Sequence, residues 1–278
     1  MTSRLDRARQ AVWLVRRWRP TRELVVVGDH PYAALEWLDA VRHDVCVITR
    51  LRLDAARYEP APPRQPGQNG RPRKKGQRLP TLEKVLTDSM THWKTVIMAH
   101  WYGEGERRLQ VASNTAVWDH SGQPVVPIRW VVIRDPEQRV ESQALLATNL
   151  RLTPVQILAS VVRRWQMEST LEEARAHLGG ATQRQWSGKA TARTTPALLA
   201  LYSVVTLMAA HLLGTDPMPV RTAAWYRKAQ ATFADTIALV RQCLWRQCHF
   251  STSQAEADVV KIPRALFERF TDALCYAA

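Results

Sequence analysis

Cysteine is scarce. The four present, Cys46, Cys243, Cys248 and Cys275, are spread along 278 residues and build no disulfide framework. Cys243, Cys248 and His249 meet no second ligand pair, which excludes the usual zinc and haem spacings. The thiols fit a reduced cytosol as structural side chains. Acidic residues are also in deficit, 25 against 39 basic ones, for a formal net charge of +14. A surplus of that size favours polyanionic partners and salt-sensitive association. Solvated arginines in a basic soluble protein are the plain alternative. No signal peptide is expected, because the chain is charged from Arg4 onward. Only Pro196 to Leu213 nears the length of a membrane span, and it carries Tyr202, Ser203, Thr206 and His211. With 46% hydrophobic and 23% charged residues, the chain has material for a substantial core.

Several segments have strand character. Glu23-Leu-Val-Val-Val-Gly-Asp-His30 holds four consecutive apolar, mostly β-branched residues and predicts a buried strand ending just before Asp29. Pro31 is then expected to open a helix through Tyr32, Leu35 and Leu38. In open α/β sheets, ligands gather beyond the carboxyl ends of strands, so Asp29 is a candidate ligand. A simple cap on the following helix is the alternative. Further strands are expected at 44–49, 95–101, 109–112, 115–118 and 128–133. Between them, 58–78 is rich in Pro, Gly and Arg, unsuited to helix or central strand, and predicts a mobile loop. Its Arg71, Arg73, Lys74, Lys75 and Arg78 are candidates for phosphate-backbone contact, or simply a solvated linker.

The most informative segment is Val161-Val-Arg-Arg-Trp-Gln-Met-Glu-Ser-Thr-Leu-Glu-Glu-Ala-Arg175. At about 100° per residue, with Arg164 at zero, Glu168 falls near ~40° and Arg175 near ~20°. The three charges share one stripe. Leu158, Val162 and Trp165 flank it on one side, and Met167, Leu171, Ala174 and Leu178 on the other. Gln166, Thr170, Glu173 and His177 form the opposite, solvated face. An intrahelical Arg164–Glu168 pair would add only about 0.2–0.5 kcal/mol, and Glu172 opposes it, so helix stability alone is a weak reason for the stripe.

This stretch resembles the signature of DDE transposases of bacterial insertion sequences, the cut-and-paste group with an RNase H-like core. That signature has Tyr, then Arg three residues on, Glu four further, and Lys or Arg seven beyond. Here the positions are Val161, Arg164, Glu168 and Arg175, with Val in place of Tyr. The segments 183–187 and 194–199 are similar too, and the resemblance extends from Leu5 to about Gly214.

The resemblance implies an α/β fold: an RNase H-like catalytic core with a β-rich insertion and a helical C-terminal part. The expected division is 1–50 and 151–214 for the core, 51–150 for the insertion, and 215–278 for the C-terminal region. It makes Asp29 the second catalytic Asp and Glu168 the catalytic Glu, both holding Mg2+ or Mn2+. Arg164 and Arg175 would contact DNA phosphate or orient the Glu. Partners would be transposon ends and target DNA, and a second subunit in a homodimer or in a mixed dimer with a full-length transposase. No membrane is expected, and the place is the bacterial cytoplasm at the nucleoid. Pro196 to Leu213 becomes a buried core helix, and Trp101, Trp118 and Trp130 become candidates to stack on a flipped base.

One departure matters. The family's first Asp sits on a first strand, whereas this chain opens with the helical period of residues 1–18. Asp6 lies near the start of that helix, and Asp135 belongs to a turn Asp135-Pro136-Glu137. The expectation is therefore an N-terminally truncated copy with an incomplete acidic triad. The strand at 24–28 should then be an open sheet edge. Beyond Gly214, Tyr226 to Cys248 is expected to be an amphipathic helix with Phe233, Ile237, Val240 and Leu244 in step.

Overall fold

The computed structural model describes residues 3–64, 70–103, 105–180, 187–221, 228, 231–247 and 263–276. These fall into two compact units, Met1–Gln166 and Met167–Ala278.

The first unit is a mixed sheet with helices. Its strands are β1 (Val25–Gly28), β2 (Cys46–Leu51), β3 (Arg57–Tyr58), β4 (Lys94–Met98), β5 (Arg107–Trp118), β6 (Val126–Arg134) and β7 (Gln143–Ala147). The spatial order is β1-β2-β7-β6-β5-β3, with β4 also on β5. β1 and β2 run parallel, Gly28 opposite Thr49, and every other pairing is antiparallel. Thus the strands of 1–50 and those of 51–150 share one sheet. Among the described residues β1 lies at one end of the sheet, where an edge strand is expected.

Side chains alternate across this sheet with the two-residue period of strands. Val47, Leu51, Ile128, Trp130, Val132, Ala144 and Leu146 build one core with α1 (Arg4–Trp18), α2 (Leu35–Val41) and α3 (Leu82–Thr87). Cys46, Ile48, Val111, Val131, Ile133, Leu145 and Ala147 build the other, against Ile157 and Leu158 of α4 (Pro154–His177). Both faces are covered, so the central strands are buried throughout.

The helix starts follow from their sequences. Ser3 and Asp6 form a capping box at α1, which accounts for Asp6. Thr153 and Gln156 exchange hydrogen bonds of 2.9 and 3.3 Å around Pro154, the first residue of α4. The helix expected after Pro31 comes in two pieces. His30–Tyr32 is a 3-10 turn, and Ala33 and Ala34 leave helical geometry before α2. Tyr32 packs on Trp37, with ring centroids 5.6 Å apart, across that break.

Two expected strands, 109–112 and 115–118, are one. Ser113 and Asn114 stay in β5, paired with Val131 and Trp130, because nine consecutive partners on β6 outweigh a weak local turn preference. β7 had no strand signal in its Ala-rich run, yet it lies at the centre of the sheet. Asp135 is a turn residue as expected: its carboxylate accepts from the Glu137 and Arg139 amides at 2.9 and 3.1 Å.

The second unit contains the end of α4, α5 (Gly188–Leu213), α6 (Phe233–Gln247) and α7 (Arg264–Cys275). Tyr202 of α5 stacks on Phe233 of α6 at 4.3 Å. Phe233, Ala238 and Val240 are buried, while Leu244 is exposed. The expected buried core helix at 196–213 needs correction. Leu201, Val204, Leu207 (69% exposed) and Leu212 face solvent, and only Ala209 is fully buried. Among the described residues, α6 packs against α5. By length and composition alone α5 is long and apolar enough to cross a membrane. Residues 183–186, Tyr226, Cys248 and His249 lie outside the described residues.

Candidate functional site

Asp29 is positioned by the end of β1. Alternation turns Val27 toward the α4 side of the sheet, and Asp29, two residues on in extended geometry, continues to that side. Its carbonyl accepts twice, from the Tyr32 amide at 2.9 Å and the Thr49 hydroxyl at 2.8 Å. Thr49 is itself buried. Gly28 is needed here, because a Cβ would lie 2.9–3.0 Å from Cδ2, Cβ and Cγ of Tyr32. The backbone of Asp29 is therefore fixed while its side chain stays 61% exposed. It caps nothing: the 3-10 turn has no side-chain cap bond.

Instead the carboxylate meets Arg164. Nη2 of Arg164 lies 3.5 Å from Oδ1 of Asp29, with the arginine side chain 23% exposed. Ile157, Leu158, Val161 and Val162 seat the first turns of α4 on the sheet and set the rotation that aims Arg164 at the strand tip. Trp165 is held as well. It meets Tyr102 edge-on at 5.6 Å, and Tyr102 meets Trp101 at 4.9 Å. Tyr102, with φ +48°, sits in a tight turn closed by the Trp101 amide on the Gly105 carbonyl, 2.9 Å.

Glu168 follows Arg164 by one helical turn, within the second unit, and is half-buried. With Leu171, Glu172, Arg175 and Ala176 it lines an open depression of about 600 Å³. The faces of this part of α4 differ from expectation. Met167 and Leu171, expected on an apolar flank, are exposed. Glu173 and His177, expected in water, form a 3.2 Å pair, and His177 packs beside Phe233 of α6. The packing of α6 decides which side is covered, and helical period alone does not contain it.

The basic loop is tied at its base. Glu59 donates to Gln77 at 2.9 Å, Gly76 to Glu59 at 2.8 Å and Leu79 to Arg57 at 2.8 Å. Lys75 is engaged structurally, paired with Asp119 and lying 4.0 Å from the Tyr58 ring centroid. Arg71, Arg73, Lys74 and Arg78 are exposed. Trp101 and Trp130 are core residues, and Arg57 covers the Trp130 ring at 4.5 Å. Trp118 is half-buried against the same core as Trp130. Trp101 and Trp130 are therefore enclosed, while Trp118 keeps part of its surface exposed.

For a divalent cation, the exposed Asp29 carboxylate on a pinned backbone is the right kind of ligand, hard and oxygen-bearing. Arg164 already supplies a positive charge to it. Among the described residues, no three His, Cys, Asp or Glu side chains converge as a metal-holding group. The sequence missed Thr49, whose role depends on the parallel register of β1 and β2, and Tyr102, whose role depends on a turn. Comparison with protein-family models finds no match to this chain, and comparison with proteins of curated function finds none either.

Proposed function

We propose that this chain is a DNA-binding protein of the DDE transposase kind, with an RNase H-like core and two acidic ligands among its described residues. Asp29 and Glu168 are its metal ligands, and they hold Mg2+ or Mn2+ weakly. The bound ion would stabilise charge developing at the reacting phosphate during phosphoryl transfer at transposon ends. Arg164 positions Asp29 and, with Arg175, receives DNA phosphate in a bidentate manner. Arg71, Arg73, Lys74 and Arg78 hold the DNA backbone without reading sequence. The place of action is the bacterial cytoplasm, at the nucleoid. One observation carries the reading: Arg164, four residues before Glu168 on α4, meets Asp29 at the strand tip.

The same ion pair favours a second reading. An arginine beside Asp29 offers the neutralisation that a metal would offer, which suits a DNA-binding remnant that regulates through mixed dimers. Supercoiled plasmid with millimolar Mg2+ or Mn2+ separates the readings. Slow nicking abolished by Asp29→Ala or Glu168→Gln supports the weak catalytic site. Complete absence of nicking supports the regulator. Robust cleavage that Asp29→Ala removes contradicts the weak site.

A further inference from the structure

A second basic surface lies at the other end of the sheet from Asp29. An open cleft of about 570 Å³ is walled by three segments: the end of α1 with its link to β1, the α2–β2 turn, and the link from β7 to α4. It borders Leu24 and Cys46, where β1 and β2 begin, whereas Asp29 follows the end of β1. At roughly 3.3 Å per residue the two places are about 16 Å apart along the strand. Arg16, Arg22, Arg42 and Arg151 line the cleft together with His43, against the acidic Glu23 and Asp44.

These arginines are not equivalent. Arg42 pairs with Asp39 at 2.9 Å, and Arg16 donates to the Arg22 carbonyl at 2.8 Å. Both stand at helix C-termini, where a cation complements the helix dipole, so the fold explains them. Glu23 accepts from the Asn149 amide at 3.3 Å. Arg22 and Arg151 are different. Both are exposed, and neither guanidinium has an ion pair or hydrogen bond among the described residues. They approach from different walls, one before β1 and one after β7.

We propose that this cleft is a second nucleic-acid contact, in which Arg22 and Arg151 each hold a phosphate of one continuous backbone. Two unpartnered guanidiniums on separate walls of a wide, open cleft suit successive phosphodiesters better than one small anion. The contact is independent of metal and sequence. It shares with the function proposed above only the nature of the ligand.

The test is binding of a short duplex of arbitrary sequence to the full chain, by fluorescence anisotropy across a salt series in EDTA. The slope of log K against log salt should be shallower by about 2 in Arg22→Ala/Arg151→Ala. It should be unchanged in Arg22→Lys/Arg151→Lys. The charge-matched pair Arg264→Ala/Arg269→Ala, on α7, should retain the wild-type slope. Arg151→Ala alone, with a decrease of about 1, stands in if the double variant folds poorly. An unchanged slope in the alanine pair, or an equal decrease in the α7 pair, overturns the proposal. Because metal is absent, failure of DNA cleavage leaves this result untouched.

Discussion

Asp235 shows how much a single residue contributes to the second unit. It is buried, and its carboxylate accepts from Lys228 Nζ at 2.5 Å, the Thr232 amide at 2.8 Å and the Tyr276 hydroxyl at 3.2 Å. Burial pushes its pKa up, but Lys228 and the backbone donors outweigh burial and hold it below the usual carboxylate value. A depressed folded pKa stabilises above the unfolded value of about 3.9, and that stability is lost as pH falls through the folded value. Burial, with Asp235 beside it, pushes the Tyr276 phenol up to about 12. That contribution has the opposite sense, present below about pH 10 and lost as pH rises toward 12. Asp235→Ala should cost about 3–5 kcal/mol, because Lys228 would keep a largely buried charge without a counter-charge. Urea unfolding of the full chain, followed by circular dichroism across pH, reads both effects. A loss under ~1 kcal/mol, within the range of an exposed ion pair, would show that the cluster does not hold the unit together.

At the scale of elements, β1 is the exposed liability. Among the described residues it has one strand partner, β2, and Val25 is 45% exposed at the edge. Open apolar edges template pairing with other chains, and a lysine on such an edge blocks it. Val25→Lys should therefore lower concentration-dependent light scattering while changing stability by roughly 0.5 kcal/mol or less. Unchanged scattering would place the aggregation-prone surface elsewhere, with the exposed apolar side of α5 the next to test. The same elements show what the sequence makes legible. β1, β2 and β6 are announced by Val and Ile runs, and α1 and α4 by helical period. β7 is hidden because Gln143-Ala-Leu-Leu-Ala147 owes its strand to neighbours on both sides, not to propensity. The break before α2 was equally invisible, since it depends on Tyr32 packing against Gly28 and Trp37. The Asp29 position could be read, because a strand followed by Asp and Pro is a local pattern. Its pairing with Arg164 needed the rotation of α4 on the sheet.

For the whole molecule, two features were differently accessible. Net charge is additive along the chain, so the +14 excess is legible at once. The unit boundary between Gln166 and Met167 falls inside α4, where no Pro, Gly or polar linker marks it. The proposed function makes Asp29 and Glu168 ligands of a divalent ion. Binding of Mn2+ to the full chain, followed by electron paramagnetic resonance, tests it most directly. Wild type, Asp29→Ala, Glu168→Gln and the double variant would be compared, since residues acting on one ligand are not additive. Weak binding in wild type, the same loss in each single variant and no further loss in the double are expected. Independent, additive losses, loss in only one single variant, or no bound Mn2+ at millimolar concentration would contradict it.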